Sequence, residues 1–257
     1  MRVALVLHRD FPTGGLQRDA RAVAALLAQR GHQAILVARD GEGAPPPGVE
    51  RRLVPVPRGS NHGRDLAFGR AYRAAVADCD VVIGFDKLPG LDLYYAADVS
   101  YRATRGAWVR LLPRGQARRA LEAACFAPGT TTRILALTAA QRDVYAAAWG
   151  TPAERFTLLP PIRDPLYRPP AEAAAARSEA RRRLGLAADE PVALFIGRDA
   201  TLKGFDRVLR ALAAQGDRAP RLLAVGDGTE GYRAEAARLG LGERILWQGG
   251  PSDVRHC

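Results

Sequence analysis

The 257-residue sequence contains little cysteine and no long apolar run. Its three cysteines, Cys79, Cys125 and Cys257, lie far apart and form no CxxC pair, which argues against a disulfide scaffold or a zinc site and favours a reducing compartment. The four histidines show no metal-ligand spacing either. No apolar run approaches the roughly 20 residues that a membrane-spanning helix needs. The N-terminus lacks the charged and apolar regions of a signal peptide, so we expect neither a membrane span nor a leader.

Lysine is nearly absent as well, since Lys87 and Lys203 are the only two, and arginine carries a net charge of +11. Such an arginine- and alanine-rich composition is typical of a GC-rich genome. It is also compatible with an anionic partner, which could be a nucleic acid, a phosphorylated substrate or an acidic membrane. Composition alone does not decide between these explanations. With 47% hydrophobic and 25% charged residues, the chain has the composition of a globular protein.

Short apolar runs alternate with segments of helical period along the whole chain, which predicts an α/β fold with an open, mainly parallel sheet and helices on both faces. Five prolines between residues 159 and 170 interrupt this alternation. We therefore predict two Rossmann-like, doubly wound domains, 1–160 and 171–257, joined by a proline-rich linker at 161–170. The second domain holds only about half of the expected elements and ends one turn into an apparent helix, so we expect it to be incomplete.

Glycine-lined turns follow three of the predicted strands. Gly14 and Gly15 precede the first helix, and Gly226 follows a strand of the second domain. Arg198 and Lys203 flank the equivalent turn between another strand and its helix. Such turns allow a phosphate to approach backbone N–H groups at a helix N-terminus, and the two cations would bind a diphosphate. The alternatives are tight turns that require glycine and a solvated loop.

Residues 102–119 form the most basic segment of the chain and contain no acidic residue. Pro113 is predicted to divide the segment into two short helices. An arginine-rich segment with interleaved Trp and Leu is typical of contact with an anionic membrane surface, although a solvated helical face fits equally well. Nucleic-acid binding is disfavoured because no recognised motif accompanies the charge. The candidate membrane-contact residues are Arg102, Arg105, Trp108, Arg110, Arg114, Arg118 and Arg119.

Four stretches of the sequence resemble the bacterial lipopolysaccharide core glucosyltransferase I family, which belongs to the retaining GT-B glycosyltransferases of family 4. They are residues 11–19 (FPTGGLQRD), 61–64 (NHGR), 84–92 (GFDKLPGLD) and 95–99 (YAADV). The resemblance extends from residue 1 to the end, and it implies a GT-B fold. The turns that contain Arg198, Lys203 and Gly226 are shared by the wider family 4 and do not specify the sugar.

The resemblance implies that the enzyme transfers glucose from UDP-glucose to a heptose of the lipopolysaccharide inner core. It implies further that this occurs on the cytoplasmic face of the inner membrane, without a metal or other cofactor. By the same resemblance, Gly14, Gly15, Arg198, Lys203 and Gly226 belong to the donor site. Asp19 and Asp98 are the candidate catalytic residues, facing the sugar and the acceptor. The position of residues 102–119 matches the membrane-contacting region of the family.

By the same resemblance, the Glu-x7-Glu motif of the family's second domain would lie beyond residue 257, so we expect the chain to be a C-terminally truncated and poorly active form. Two alternatives remain open. One is another family 4 glycosyltransferase with a different sugar donor. The other is an inactive fragment that binds membranes or anions.

Overall fold

A computed structural model describes residues 1–12, 14–104, 106–161, 173–197 and 199–249, apart from the side chains of Ala107, Arg110 and Asp227. The chain divides into two units, Met1–Ile162 and Arg163–Cys257. All but the first residue of the predicted linker at 161–170 lies outside the described residues, as does the helical turn predicted at the end of the chain.

The sheet of the first unit contains seven described strands in the order β3-β2-β1-β4-β5-β6-β7, and all of their pairings are parallel. The order reverses between β1 and β4. In open α/β sheets, ligands bind beyond the carboxyl ends of the strands at such a reversal. The strands are β1 (Arg2–Asp10), β2 (Gln33–Gly41), β3 (Val49–Leu53), β4 (Val81–Gly84), β5 (Leu93–Ala96), β6 (Arg133–Ala136) and β7 (Phe156–Leu158).

Helices cover both faces of this sheet because successive strand residues point in opposite directions. Leu5 and Leu7 of β1 pack towards the first helix, whereas Ala4 and Val6 face a core that contains residues of the second, fifth and sixth helices. The described helices of the unit are α1 (Gly15–Gln29), α2 (Asn61–Ala75), α3 (Tyr101–Thr104), α4 (Ala107–Leu111), α5 (Pro113–Phe126) and α6 (Ala139–Trp149). None of the helices in the described ranges is both long and apolar enough to cross a bilayer.

The second unit has a parallel sheet of its own, in the order β10-β9-β8 among the described residues. Its core is separate and centres on the fully buried Phe205 and Leu209. The elements are α7 (Ala173–Arg183), β8 (Val192–Ile196), α8 (Phe205–Ala213), β9 (Arg221–Val225), α9 (Arg233–Arg238) and β10 (Ile245–Gln248). The prediction of an α/β fold built on parallel sheets is therefore confirmed.

The structure differs from the sequence-based expectation at several elements. The basic segment forms α3, α4 and the start of α5 rather than two short helices; Pro113 is the first residue of α5, which continues to Phe126. The strand β7 was not predicted, because it has only three residues and two of them, Thr157 and Leu158, are exposed. Between β9 and β10, the helical segment is a 3-10 turn (Asp227–Tyr232) followed by the short α9 rather than one continuous helix.

Candidate functional site

A cavity of about 340 Å³ lies at the strand-order reversal of the first unit. His8, near the end of β1, and Asp86 and Lys87, just after β4, line one side of it. Asp98, which follows β5, and Glu122 on α5 add two carboxylates to its wall, which also contains Asp65 and Arg118. The volume is at the lower end of the range of small-molecule sites, about 300–1,000 Å³. This placement makes the cavity the candidate functional site of the first unit.

The carboxylate of Glu122 is the most densely bonded group of the cavity wall. It is fully buried, and it accepts five hydrogen bonds from described residues. Three of them come from the start of α3, where Ser100 Oγ donates at 2.7 Å and the backbone N–H groups of Tyr101 and Arg102 donate at 2.6 and 3.2 Å. Trp149 Nε1 on α6 donates the fourth at 2.7 Å. Glu122 thus connects α3, α5 and α6.

The fifth hydrogen bond comes from Lys87, whose ammonium Nζ lies 2.9 Å from Glu122 Oε2. Burial by itself would raise the pKa of Glu122, but the charge of Lys87 and the hydrogen bonds from Trp149, Ser100 and Lys87 outweigh it and lower that pKa overall. Glu122 is therefore a carboxylate at neutral pH. Lys87 Nζ also lies 2.8 Å from Asp98 Oδ2 and donates to the carbonyl oxygen of Val99 at 3.1 Å.

The candidate catalytic residue Asp98 is oriented from several sides. Its Oδ1 accepts the phenolic hydroxyls of Tyr94 at 2.7 Å and Tyr145 at 2.9 Å, while Lys87 approaches Oδ2. Gln141 Nε2 donates to the Asp98 carbonyl oxygen at 2.7 Å and fixes the backbone. The Asp98 side chain is nevertheless 56% exposed and lines the cavity. It is thus a fixed carboxylate that is accessible to a ligand.

The other candidate catalytic residue, Asp19, is not part of this cavity wall. Asp19 Oδ2 accepts a hydrogen bond from Tyr95 at 3.2 Å, whereas the neighbouring Tyr94 bonds to Asp98. Adjacent residues of a strand point to opposite faces, so the two aspartates are held from opposite faces of β5. Burial, followed by the charge of Asp19, raises the pKa of Tyr95 to about 12, which keeps the phenol protonated as the donor.

The turn before α1 has the geometry expected for close approach of an anion. Gly14 has φ +137°, a conformation that L side chains rarely adopt, and α1 begins at Gly15. No side-chain cap binds the first amides of this 15-residue helix in the described part of the turn, and its first turn has no acidic residue. Free N–H groups and the helix dipole therefore favour negative charge here.

In the second unit, Lys203 lies at the corresponding strand-to-helix turn. A Cβ on Gly197 would lie 3.2 Å from Lys203 Cγ, so the glycine allows the lysine stem to lie close to the end of β8. The Lys203 side chain is exposed, and no carboxylate in the described ranges pairs with it. Arg198 lies outside the described residues. The N–H of Gly226 donates to the Gln248 carbonyl oxygen at 3.0 Å, so it is not available to a phosphate.

The candidate membrane-contact residues separate into two groups. Trp108 is 84% exposed, and the neighbouring Leu111 and Leu112 are exposed as well, next to the exposed Arg114 and Arg119. Two other arginines have intramolecular contacts. The Arg102 guanidinium lies 4.7 Å from the centre of the Trp149 ring, and that of Arg118 lies 5.7 Å from the Tyr101 ring at the cavity. Arg105 and the Arg110 side chain lie outside the described residues.

Sequence reasoning assigned no role to Lys87 or Glu122. A signal was present for both: Lys87 is one of two lysines, and Glu122 is the first acidic residue after Asp98. The spacing of Glu122 from Phe126 places it on the buried face of α5. A lone carboxylate on an apolar helix face indicates a buried partner. In the part of the chain that the structure describes, no group of three or more His, Cys, Asp or Glu could hold a metal ion.

Comparisons with known proteins give a consistent result. The family model described as Glycosyltransferase Family 4 matches residues 13–165. The lipopolysaccharide glucosyltransferase WaaG of Escherichia coli strain K12 is 33% identical over an alignment of 264 positions, which covers 99% of this chain and 71% of that protein. A D-inositol 3-phosphate glycosyltransferase of Nocardia farcinica is 36% identical over 126 residues, which cover 45% of this chain and 27% of that protein.

Solved structures give the same picture. The crystal structure of WaaG, a glycosyltransferase involved in lipopolysaccharide biosynthesis, superimposes with a TM-score of 0.90 at 32% identity, over 99% of this chain and 71% of that one. Anabaena Alr3699/HepE, solved with UDP and glucose, has a TM-score of 0.71 at 19% identity, over 100% of this chain and 71% of that one. At 19% identity, the second likeness shows the fold alone.

Proposed function

The chain belongs to Glycosyltransferase Family 4, and on that premise we propose that it transfers glucose from UDP-glucose to a heptose of the lipopolysaccharide inner core, with retention of configuration. The observation that carries this proposal is 33% identity to a lipopolysaccharide glucosyltransferase over 99% of the chain. The cavity at the strand-order reversal adds physical support, because its lining suits a sugar.

The cavity of the first unit is proposed as the acceptor subsite. Its described lining contains four carboxylates, Asp65, Asp86, Asp98 and Glu122, against the cations Lys87 and Arg118. An excess of negative charge repels a diphosphate but leaves acceptor oxygens for the hydroxyl groups of a neutral sugar. Asp98 is the best placed of them, because it is oriented and accessible at the same time.

Donor-binding roles are proposed for Lys203 and Arg198 of the second unit and for the amides after Gly14 in the first unit. Negative charge builds on the departing phosphate as the bond to the sugar breaks, and fixed cations and N–H groups stabilise that charge. The exposed ammonium of Lys203 supports this assignment, as do the uncapped amides of α1. In this proposal the protein supplies the positive charge itself, and no metal or other cofactor takes part.

A transfer assay with heptose-terminated lipopolysaccharide tests the proposed function. We expect labelled glucose to move slowly from UDP-glucose to this acceptor, in keeping with the poorly active form that the sequence predicts. A UDP- or GDP-sugar that is used in preference to UDP-glucose would identify another family 4 glycosyltransferase. Binding to vesicles without turnover of any sugar nucleotide would instead identify a membrane- or anion-binding fragment.

Replacing Lys203 tests the donor site. We expect Lys203→Ala to weaken UDP-glucose binding tenfold or more, because a hydrogen bond to a charged group contributes about 1.5–3 kcal/mol. Isothermal titration calorimetry measures the change. Arg210→Ala is the matched control, since it removes a cation that already pairs with Asp206 on α8. Equal donor affinity in the two variants would remove Lys203 from the site.

The exposed apolar residues of α4 are proposed to contact the cytoplasmic face of the inner membrane. Trp108 and Leu111 present apolar surface beside exposed arginines, which attracts an anionic bilayer. We expect Trp108→Ala to weaken binding to phosphatidylglycerol vesicles several-fold in a sedimentation assay. The control is Leu26→Ala, which removes an exposed apolar side chain from α1. If both variants bind as the parent does, α4 is not the contact surface.

A further inference from the structure

We propose that Lys87, fixed by the buried carboxylate of Glu122, is a positioning residue that holds Asp98 in the orientation that binds a hydroxyl group of the acceptor sugar. The inference rests on the proposed function, because it assigns a role at the proposed acceptor subsite. It concerns a pair of residues that act on substrate only through a third residue.

The Lys87 ammonium group is engaged by neighbouring residues. Lys87 Nζ donates hydrogen bonds to Val99 O at 3.1 Å and to Glu122 Oε2 at 2.9 Å, and it forms an ion pair with Asp98 Oδ2 at 2.8 Å. Its side chain is 11% exposed. Lys87 therefore acts on its neighbours rather than on a ligand in the cavity.

Asp98 retains acceptor capacity after these contacts. A carboxylate has about four lone-pair sites. Tyr94 and Tyr145 occupy Oδ1, and Lys87 approaches Oδ2, so Oδ2 has a site left on a side chain that is 56% exposed in the cavity. A hydroxyl group donating to Oδ2 would meet an oxygen whose position Lys87 defines.

Glu122 supplies the fixed point for Lys87. Removing a carboxylate and an ammonium group from water costs free energy, and well-packed apolar residues in place of a buried ion pair often give equal or greater stability. The pair is at the cavity wall, where Glu122 is also bound to the start of α3 and to Trp149 of α6. This anchoring fixes the position of Lys87 independently of the more exposed Asp98.

The test uses the 257-residue chain, a soluble heptose-terminated core oligosaccharide as acceptor probe, and UDP-glucose as donor probe. We expect Lys87→Met to weaken acceptor binding tenfold or more in calorimetric titrations and to leave donor binding within twofold. Lys87→Arg keeps the positive charge and should recover most of the acceptor affinity. Because Lys87→Met leaves Glu122 without its cation and could impair folding, the Lys87→Met/Glu122→Gln variant removes both charges together.

A double-mutant cycle separates positioning from a structural role. If Lys87 acts through Asp98, then Lys87→Met should weaken acceptor binding no further in an Asp98→Asn background. Additive losses would overturn the proposal. So would parent-like acceptor affinity in Lys87→Met/Glu122→Gln, because the pair would then serve folding alone. If the parent chain binds neither probe, the proposed function is refuted, and the inference with it. If the parent binds both probes and the variants bind the acceptor with the same affinity as the parent, only the inference is refuted.

Discussion

At the scale of single residues, the two glycines before α1 have different physical roles although they are neighbours in the sequence. Gly14 adopts φ +137°, and a Cβ there would lie 2.5 Å from Gln17 Oε1 and 3.0 Å from the ring of Phe11. Gly15 has open space around its Cα and begins the helix. Backbone conformation therefore requires glycine at the first position only.

This difference predicts opposite effects of alanine. We expect Gly14→Ala to lower the free energy of unfolding by about 1–3 kcal/mol, because the side chain imposes backbone strain. Gly15→Ala should leave it unchanged or raise it by up to about 1 kcal/mol, since alanine favours the helix. Urea unfolding measures both variants. Equal destabilisation would show that the turn does not constrain Gly14.

At the scale of elements, α5 organises the cavity through a single buried carboxylate. Its apolar face packs Leu121, Cys125 and Phe126 into the core, and Glu122 extends from the edge of that face to bind the first amides of α3. Phe126 also stacks on Tyr145 of α6 with ring centres 3.9 Å apart. The helix α5 therefore holds the residues that contact Asp98, and it also holds the start of the basic segment 102–119.

Glu122→Gln should therefore cost about 3–5 kcal/mol of unfolding free energy at pH 7, as expected when a buried ion pair loses one charge. The folded state lowers the pKa of Glu122 below the ordinary value of 4.5, so its contribution is fully present above that pH. The contribution disappears as the pH falls through the lowered pKa of the folded state. Below pH 4.5, the difference in unfolding free energy between the parent and Glu122→Gln should therefore become smaller.

Chemical unfolding between pH 7 and pH 3 measures this dependence. The exposed Glu154→Gln provides the control, and it should unfold as the parent does at every pH. A difference between parent and Glu122→Gln that stays constant down to pH 3 would mean that the ionised form of Glu122 is not what stabilises the fold.

At the scale of the molecule, each of the two units has its own hydrophobic core. Phe68 belongs to the core of the first unit and Phe205 to that of the second, and both are fully buried. Separate cores give separate sources of burial free energy. We therefore expect the units to unfold in two calorimetric transitions rather than one.

Matched substitutions identify the transitions. Phe68→Ala and Phe205→Ala should each cost about 3–5 kcal/mol, as large-to-small core substitutions do, and each should lower the temperature of a different transition in differential scanning calorimetry. A single transition that moves equally in both variants would contradict independent cores.

The α/β class could be predicted from the pattern of residues, because apolar periodicity indicates strands and helices one segment at a time. The sequence also located the glycine turns and Lys203, since these signals are local. The extent of α5 escaped prediction because the arginines of 114–119 obscured the buried stripe that continues to Phe126. Likewise, the sequence singled out Asp19 and Asp98 without indicating that they are held from opposite faces of β5.

Which charged groups form ion pairs depends on the packing of elements that are distant in sequence. Lys87 and Glu122 are 35 residues apart in sequence, and their ion pair exists because parallel strand order brings the ends of β4 and β5 beside α5. An ion pair between residues so far apart in sequence depends on the topology of the sheet and on the exclusion of water from the contact. Local sequence patterns predict neither of these. The physical reason is general: local propensity fixes elements, whereas the electrostatics of a site arise from elements packed against one another.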